Sequence, residues 1–102
     1  MSEDQHQIIL DHFGKDAVLL KMAEECNELS AAICKMNIAE KNDDTNEHGK
    51  AFLCVLEEFA DVLEVSERLR LFLDMETVKN MRIFKRSRTL EKIYDQRKNT
   101  QA

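Results

Sequence analysis

Two acidic pairs stand out in the 102-residue chain, Glu25 with Glu28 and Glu58 with Asp61. Each pair is spaced i, i+3, which on a helix turns both carboxylates to one face. Glu58 and Asp61 fall on a line with Cys54, Val65 and Phe72, so acids share an edge with apolar side chains. A solvated helix places its acids opposite the apolar stripe. Glu57, Glu64 and Glu67 do so; Glu58 and Asp61 do not. Carboxylates in apolar company are costly unless paired or bound to metal. If two such helices lie antiparallel, four carboxylates converge and repel until a cation neutralises them. An all-oxygen donor set selects a hard ion, Mg²⁺ or Mn²⁺.

The elements that must position these acids are helices. The chain has no Pro, only Gly14 and Gly49, and much Leu, Glu, Lys, Ala and Met, a mixture that favours helix nearly throughout. Ser2 with Gln5 has the form of a capping box, and Ile8, Ile9 and Phe13 mark a short amphipathic helix that Gly14 closes. Asp16 is the expected N-cap of the next helix. Leu19, Met22, Cys26, Leu29, Ile33 and Met36 form its core-facing stripe. Beside it runs a line of Lys21, Glu25, Glu28, Ala32 and Lys35, with Glu25 flanking the core and Glu28 towards the rim. The polar stretch Glu40 to Gly49 reads as a helix–helix connection.

A central helix is expected from about Ala51 to Leu73, with a broad stripe at Phe52, Val55, Leu56, Phe59, Val62 and Leu63. Asp74 offers an N-cap for a last helix, about Met75 to Arg97, marked by Val78, Met81, Phe84, Leu90 and Ile93. Residues 1–7 and 98–102 are expected to fray. This makes one all-α domain of antiparallel helices, near the size at which a single core is self-sufficient.

Other features bound the function. No apolar run approaches the roughly 18 residues of a membrane span, and the acidic N-terminus does not read as a signal peptide. Cys26, Cys34 and Cys54 are odd in number and lack metal-ligand spacing, so core thiols in the cytoplasm are expected. His6, His12 and His48 are expected at the surface or helix edges, and Met22, Met36, Met75 and Met81 at core spacing. The net charge of −5 hides an asymmetry: residues 1–78 carry seven Lys/Arg against eighteen Asp/Glu, residues 79–102 eight against two. An acidic body is unlike a DNA or RNA binder, which is basic overall. Glu-x-x-Glu alone is a weak signal in so acidic a chain, where such pairs also occur on solvated faces or in ion pairs with Lys.

The segments Glu25-Cys-Asn-Glu28-Leu29 and Glu58-Phe-Ala-Asp61-Val62-Leu63 resemble the paired motifs of the MazG-like, all-α nucleoside triphosphate pyrophosphohydrolases. The flanking Met-Ala-Glu-Glu-Cys-Asn-Glu-Leu and Leu-Glu-Glu-Phe-Ala-Asp-Val-Leu are similar too, as is the His12-Phe13-Gly14 entry, so the likeness covers roughly residues 8 to 93. It implies hydrolysis of an NTP or dNTP to the monophosphate and pyrophosphate by a metal-activated water. Glu25, Glu28, Glu58 and Asp61 would ligate Mg²⁺ (or Mn²⁺), with Glu25 and Glu58 in the catalytic role and the general base open among these acids, Glu24 and Glu57. Phe84-Lys85-x-x-Arg88 is similar to a basic stretch in the family's short members, which implies phosphate binding by Lys85 and Arg88. The 29 residues between Glu28 and Glu58 are long for the family, and the chain has no Trp.

Association is expected on separate grounds. The central helix is apolar around most of its circumference, more than two neighbours in so short a chain can cover. Pairing across a two-fold axis would complete a four-helix core, and the resemblance likewise implies a homodimer or homotetramer. A di-iron bundle is disfavoured because neither motif supplies Glu-x-x-His. The competing reading is a non-catalytic helical interaction or regulatory protein whose basic C-terminal helix binds an acidic partner.

Overall fold

A computed structural model describes residues 2–101 of the chain and the side chains of residues 5–100. It is all-helical over the described residues, with no strand among them: α1 (Ser2–Phe13), α2 (Lys15–Lys41), α3 (Thr45–Leu69) and α4 (Met75–Gln101). No helix of the described residues is long and apolar enough to cross a membrane. The chain divides into two compact units, Met1–Phe72 and Leu73–Ala102.

In the first unit, α2 and α3 pack along their length, joined by only residues 42–44. So short a connection returns α3 antiparallel to α2. Ala39 and Ala51 lie together at the turn, Glu25 and Glu58 further along, and Val18 and Val65 at the far end. The connection is shorter than the polar composition of residues 40–49 suggests. Asp44 is the reason: its side chain accepts a hydrogen bond from the Glu47 amide at 3.1 Å, and α3 begins there, taking in Gly49. Asp43 takes the left-handed turn conformation (φ 54°) that Asp tolerates better than most residues.

Gly14 separates α1 from α2. Its amide donates to the Leu10 carbonyl at 2.7 Å, and its φ of 89° disfavours any residue with a Cβ. Gly14 itself is the N-cap of α2, without a side-chain bond. Asp16, expected as that cap, instead sits in the first turn, where its charge complements the helix dipole. The Ser2 capping-box side chain lies outside the described residues. Helix α1 runs from Ser2 and α4 to Gln101, where frayed ends were expected. Within α1, Gln7 Nε2 bonds Asp11 Oδ1 at 2.8 Å, while Lys98 suits the C-terminal turn of α4.

The α2–α3 seam differs from the stripes expected. On α2 the inward line is Val18, Met22, Glu25, Leu29, Ala32, Met36 and Ala39. On α3 it is Ala51, Val55, Glu58, Val62, Val65 and Leu69, continued by Phe72. Both alternate four and three, the spacing of a packed helix pair. Leu19, Cys26 and Ile33 lie one position off this line and are exposed, as are Cys34 and Cys54, so the three thiols are surface groups rather than core. On α3 the broad stripe also stays open: Phe52, Leu56, Phe59 and Leu63 each keep about half their surface, 50% for Phe59. Core formation centres instead on Leu10, Val18 and Val65, backed by Met22, Leu69 and Phe72. His6, expected at the surface, is 9% exposed, with Nε2 3.9 Å from Glu64 Oε2.

The second unit is α4. Its start agrees with expectation: Asp74 accepts from the Thr77 amide at 3.2 Å and from its hydroxyl at 2.7 Å. Those two bonds hold the Asp74 carboxyl below the usual carboxylate range. Val78 and Ile93 are half-buried, whereas Met81, Phe84 and Leu90 are exposed.

Candidate metal centre

Glu25 and Glu28 project from the middle of α2, Glu58 and Asp61 from the middle of α3. One carboxylate oxygen from each of the four falls within 4.8 Å of the other three. The seam explains the meeting, since Glu25 and Glu58 occupy inward positions of the two helices and Glu28 and Asp61 flank them. Burial follows position: Glu25 is 4% exposed, Glu58 half-buried, Glu28 and Asp61 exposed at the mouth. Ala32, one turn beyond Glu28, is buried and small, leaving room beside the acids.

Lys21 holds Glu25 from one side, its Nζ 3.1 Å from Oε1 and 3.7 Å from the more exposed Glu24. The bond to Glu25, and then that carboxylate's charge, keep the Lys21 ammonium above its ordinary range. The other oxygen of Glu25, Oε2, is buried with no hydrogen-bond partner, and so is Oε2 of Glu58. Loss of water pushes the Glu58 carboxyl above the usual carboxylate range. The contact with Glu28 and the charges of Glu28, Asp61 and Glu25 push it the same way.

Buried polar atoms are almost always paired, and an orphaned acceptor costs free energy. Two such oxygens, on carboxylates that meet in one cluster, ask for a positive group beside them. Oxygen donors alone, two interior and two at a solvent-facing mouth, fit a hard divalent cation that keeps water on its open side. The donor set therefore fits Mg²⁺ or Mn²⁺.

All four sequence-predicted acids are thus brought together. Lys85 and Arg88 stand together in the other unit, on one face of α4, where the Arg88 guanidinium lies 5.9 Å from the Phe84 ring centre. Residue spacing alone did not single out two further groups. Lys21 carried a signal, since its i, i+4 relation to Glu25 is that of a helical ion pair. Arg68 carried none. It lines a cavity with Lys21, and its Nε is buried without a partner among the described residues. Comparison with protein-family models finds no match, and comparisons with curated proteins and with solved structures find no significant one.

Proposed function

We propose that this chain is a Mg²⁺-dependent nucleoside triphosphate pyrophosphohydrolase of the MazG-like type, with Mn²⁺ as an alternative ion. The proposal rests on the orphaned, buried Oε2 atoms of Glu25 and Glu58 inside a cluster of four carboxylates. A solvated acidic face would leave no such atoms. In this reading Glu25, Glu28, Glu58 and Asp61 hold the ion. When bound, it supplies charge neutralisation at the phosphates and a lowered pKa for an attacking water.

The chain's own residues set the geometry. Lys21 fixes Glu25 through Oε1 and leaves Oε2 buried and without a partner. Glu58 presses in from α3, while Glu28 and Asp61 keep the mouth polar and open to a triphosphate. Glu25 and Glu58 are the catalytic pair, being the two acids shielded from bulk water. The bond between the α- and β-phosphates breaks, water oxygen joins one phosphoryl group, and monophosphate and pyrophosphate leave. The resemblance to that family would give Lys85 and Arg88 the role of phosphate ligands; a planar guanidinium takes two phosphate oxygens at once.

The assembly is a cytoplasmic homodimer or homotetramer. The half-exposed Phe52, Leu56, Phe59 and Leu63 support this, because a continuous apolar ridge of that kind is uncommon on a monomer. A second reading, a non-catalytic interaction protein, draws on the exposed Met81 and Phe84 of the basic α4.

Thermal melts and pyrophosphate release separate the two readings. Mg²⁺ or Mn²⁺ should raise the Tm, and nucleoside triphosphates should release pyrophosphate. Glu58→Gln should remove the metal-dependent shift and lower activity by more than the roughly 10–100-fold typical of losing an outer-sphere partner. A folded protein indifferent to metal and inert towards all common triphosphates would establish the interaction protein instead.

A further inference from the structure

The α2–α3 hairpin has two faces of unlike chemistry, set by the neighbours of each seam position. One step along a helix turns a side chain by about 100°. From Val18 to Met36 on α2, the residues that follow the seam positions are Leu19, Ala23, Cys26, Ser30, Ile33 and Asn37. From Ala51 to Val65 on α3 they are Phe52, Leu56, Phe59, Leu63 and Ser66. None is charged. The residues that precede the seam positions include Lys21, Glu24, Glu28 and Lys35 on α2, and Lys50, Glu57, Asp61, Glu64 and Arg68 on α3.

Two antiparallel helices in contact are related by a two-fold rotation, which keeps the sense of that turn. The following residues of both helices therefore share one face, and the preceding residues the other. Contacts bear out the charged face: Glu28 meets Asp61 in the cluster, and Lys35 lines one cavity with Lys50 and Cys54. Helix α1 lies to that side too, with His6 beside Glu64 and Phe13 on a cavity with Lys21 and Arg68. The uncharged face is bare. Leu19, Ile33, Phe52, Leu56, Phe59 and Leu63 each keep between 39% and 51% of their surface. Six such side chains expose roughly 500 Å². That is near the upper end of the ~300–600 Å² patch found on monomers, and most of the ~800 Å² per partner that a stable dimer covers.

The absence of charge limits what can cover this face. It offers nothing to nucleic acid or to a strongly charged helix, and calls for an apolar layer of the same length. The chain itself supplies one. Two such layers packed together form a four-helix core, and a closed two-fold contact uses one patch twice. The face also ends in opposite charges, Glu40 after Ala39 and Arg70 after Leu69. A second copy turned end for end brings each acid to the other copy's base.

We infer that a second copy of this chain covers the uncharged face with its own, α2 and α3 of both copies forming one four-helix core. Both carboxylate clusters then open outward on the charged faces, each complete without the partner. This rests on the homo-oligomer reading and names its surface; it does not require hydrolysis.

The test combines sedimentation velocity over a concentration series with alkylation of the full-length chain, read cysteine by cysteine in a mass spectrometer. All three thiols are exposed in the single chain. The wild type should sediment as a dimer or a pair of dimers. Cys26, on the uncharged face, should be protected and Cys54, on the charged face, reactive; dilution to monomer should release Cys26. Phe59→Lys and, separately, Ile33→Lys should weaken the dimer roughly 30-fold or more and expose Cys26. Leu20→Lys, at a more exposed leucine on the side of α2 away from α3, should change neither. The Phe59→Lys monomer should keep the Mg²⁺-induced rise in Tm. A dimer in which Cys26 reacts as fast as Cys54, or one that survives both lysine variants, overturns the inference and leaves the homo-oligomer reading standing. A wild type that is monomeric at every concentration removes both. If Phe59→Lys does not fold by circular dichroism, Ile33→Lys and the wild-type thiol rates decide. A folded monomeric variant that has lost a metal response the wild type shows would overturn the self-sufficient clusters. If the wild type itself ignores Mg²⁺, the hydrolase reading falls, and sedimentation and thiol rates still decide the interface.

Discussion

The seam between α2 and α3 carries two layers built on one geometry. Val18 and Val65 form the first, and seven residues along each helix Glu25 and Glu58 form the second. Both layers occupy inward positions, and Val18, Val65 and Glu25 are all nearly covered. The valine layer contributes stability without any ligand, joining Leu10 in the core. The glutamate layer has the same covered position and the opposite balance, because two of its oxygens are dry and unpaired. Position in a helix pair thus sets burial, and residue type decides whether burial stabilises the fold or leaves acceptors unpaired. Natural sites commonly trade stability for function in this way.

The sharpest way to break the comparison is at the valine layer. Leu10→Ala removes a side chain packed against Val18 and Val65 and should cost about 2–5 kcal/mol, read from urea unfolding. It should leave the Mg²⁺-induced rise in Tm intact in whatever fraction remains folded. A metal response lost in step with stability would show that the two layers are not separable.

A smaller effect of opposite sign is expected at the other layer. Converting it to its neighbour, Glu25→Val with Glu58→Val, should raise the Tm measured in a chelator by several degrees, since buried charges are often replaced by apolar groups with a gain. The same double variant should lose all response to Mg²⁺. A lower Tm in chelator would mean that the Lys21–Glu25 bond and the Glu58–Glu28 contact outweigh the orphaned oxygens.

The smallest effect is on pH dependence, and its sign follows from Glu58. Its carboxyl is raised above the ordinary carboxylate range in the folded chain, by burial first and neighbouring acids second. The folded state therefore holds that proton more tightly than the unfolded one. Its contribution is fully present below the unfolded pKa and is lost as pH rises through the folded value. In chelator, stability attributable to Glu58 should fall across the mildly acidic range, and Glu58→Gln should flatten that part of the profile. Asp74 has the opposite sign: its depressed carboxyl stabilises α4 above the unfolded pKa and loses that contribution as pH falls through the folded one. A Glu58→Gln profile that parallels the wild type would remove Glu58 as the source.

Much of this was legible before any coordinates. Helical composition, the Asp74 cap and the two acid pairs depend on local chemistry, which a single chain displays directly. The seam was not, and the reason is physical. Periodicity identifies the most apolar face of each helix, whereas packing is chosen jointly by two helices. On α2 the covered line runs one residue away from Leu19, Cys26 and Ile33, and on α3 the stripe through Phe52 and Phe59 faces outward. The small Ala32, Ala39 and Ala51 take buried positions of the seam, which an apolarity count does not pick out. Arg68 was invisible for a related reason: a lone basic residue near a helix end has no pattern until α1 folds over it.

The three-residue link at 42–44 has a kinetic corollary. Every oxygen of the cluster comes from a single helical hairpin, and closing so short a link costs little chain entropy. Local contacts of this sort form early. The hairpin can therefore gather its charges before α1 docks, so the repulsion among the four acids is met early in folding rather than at its end.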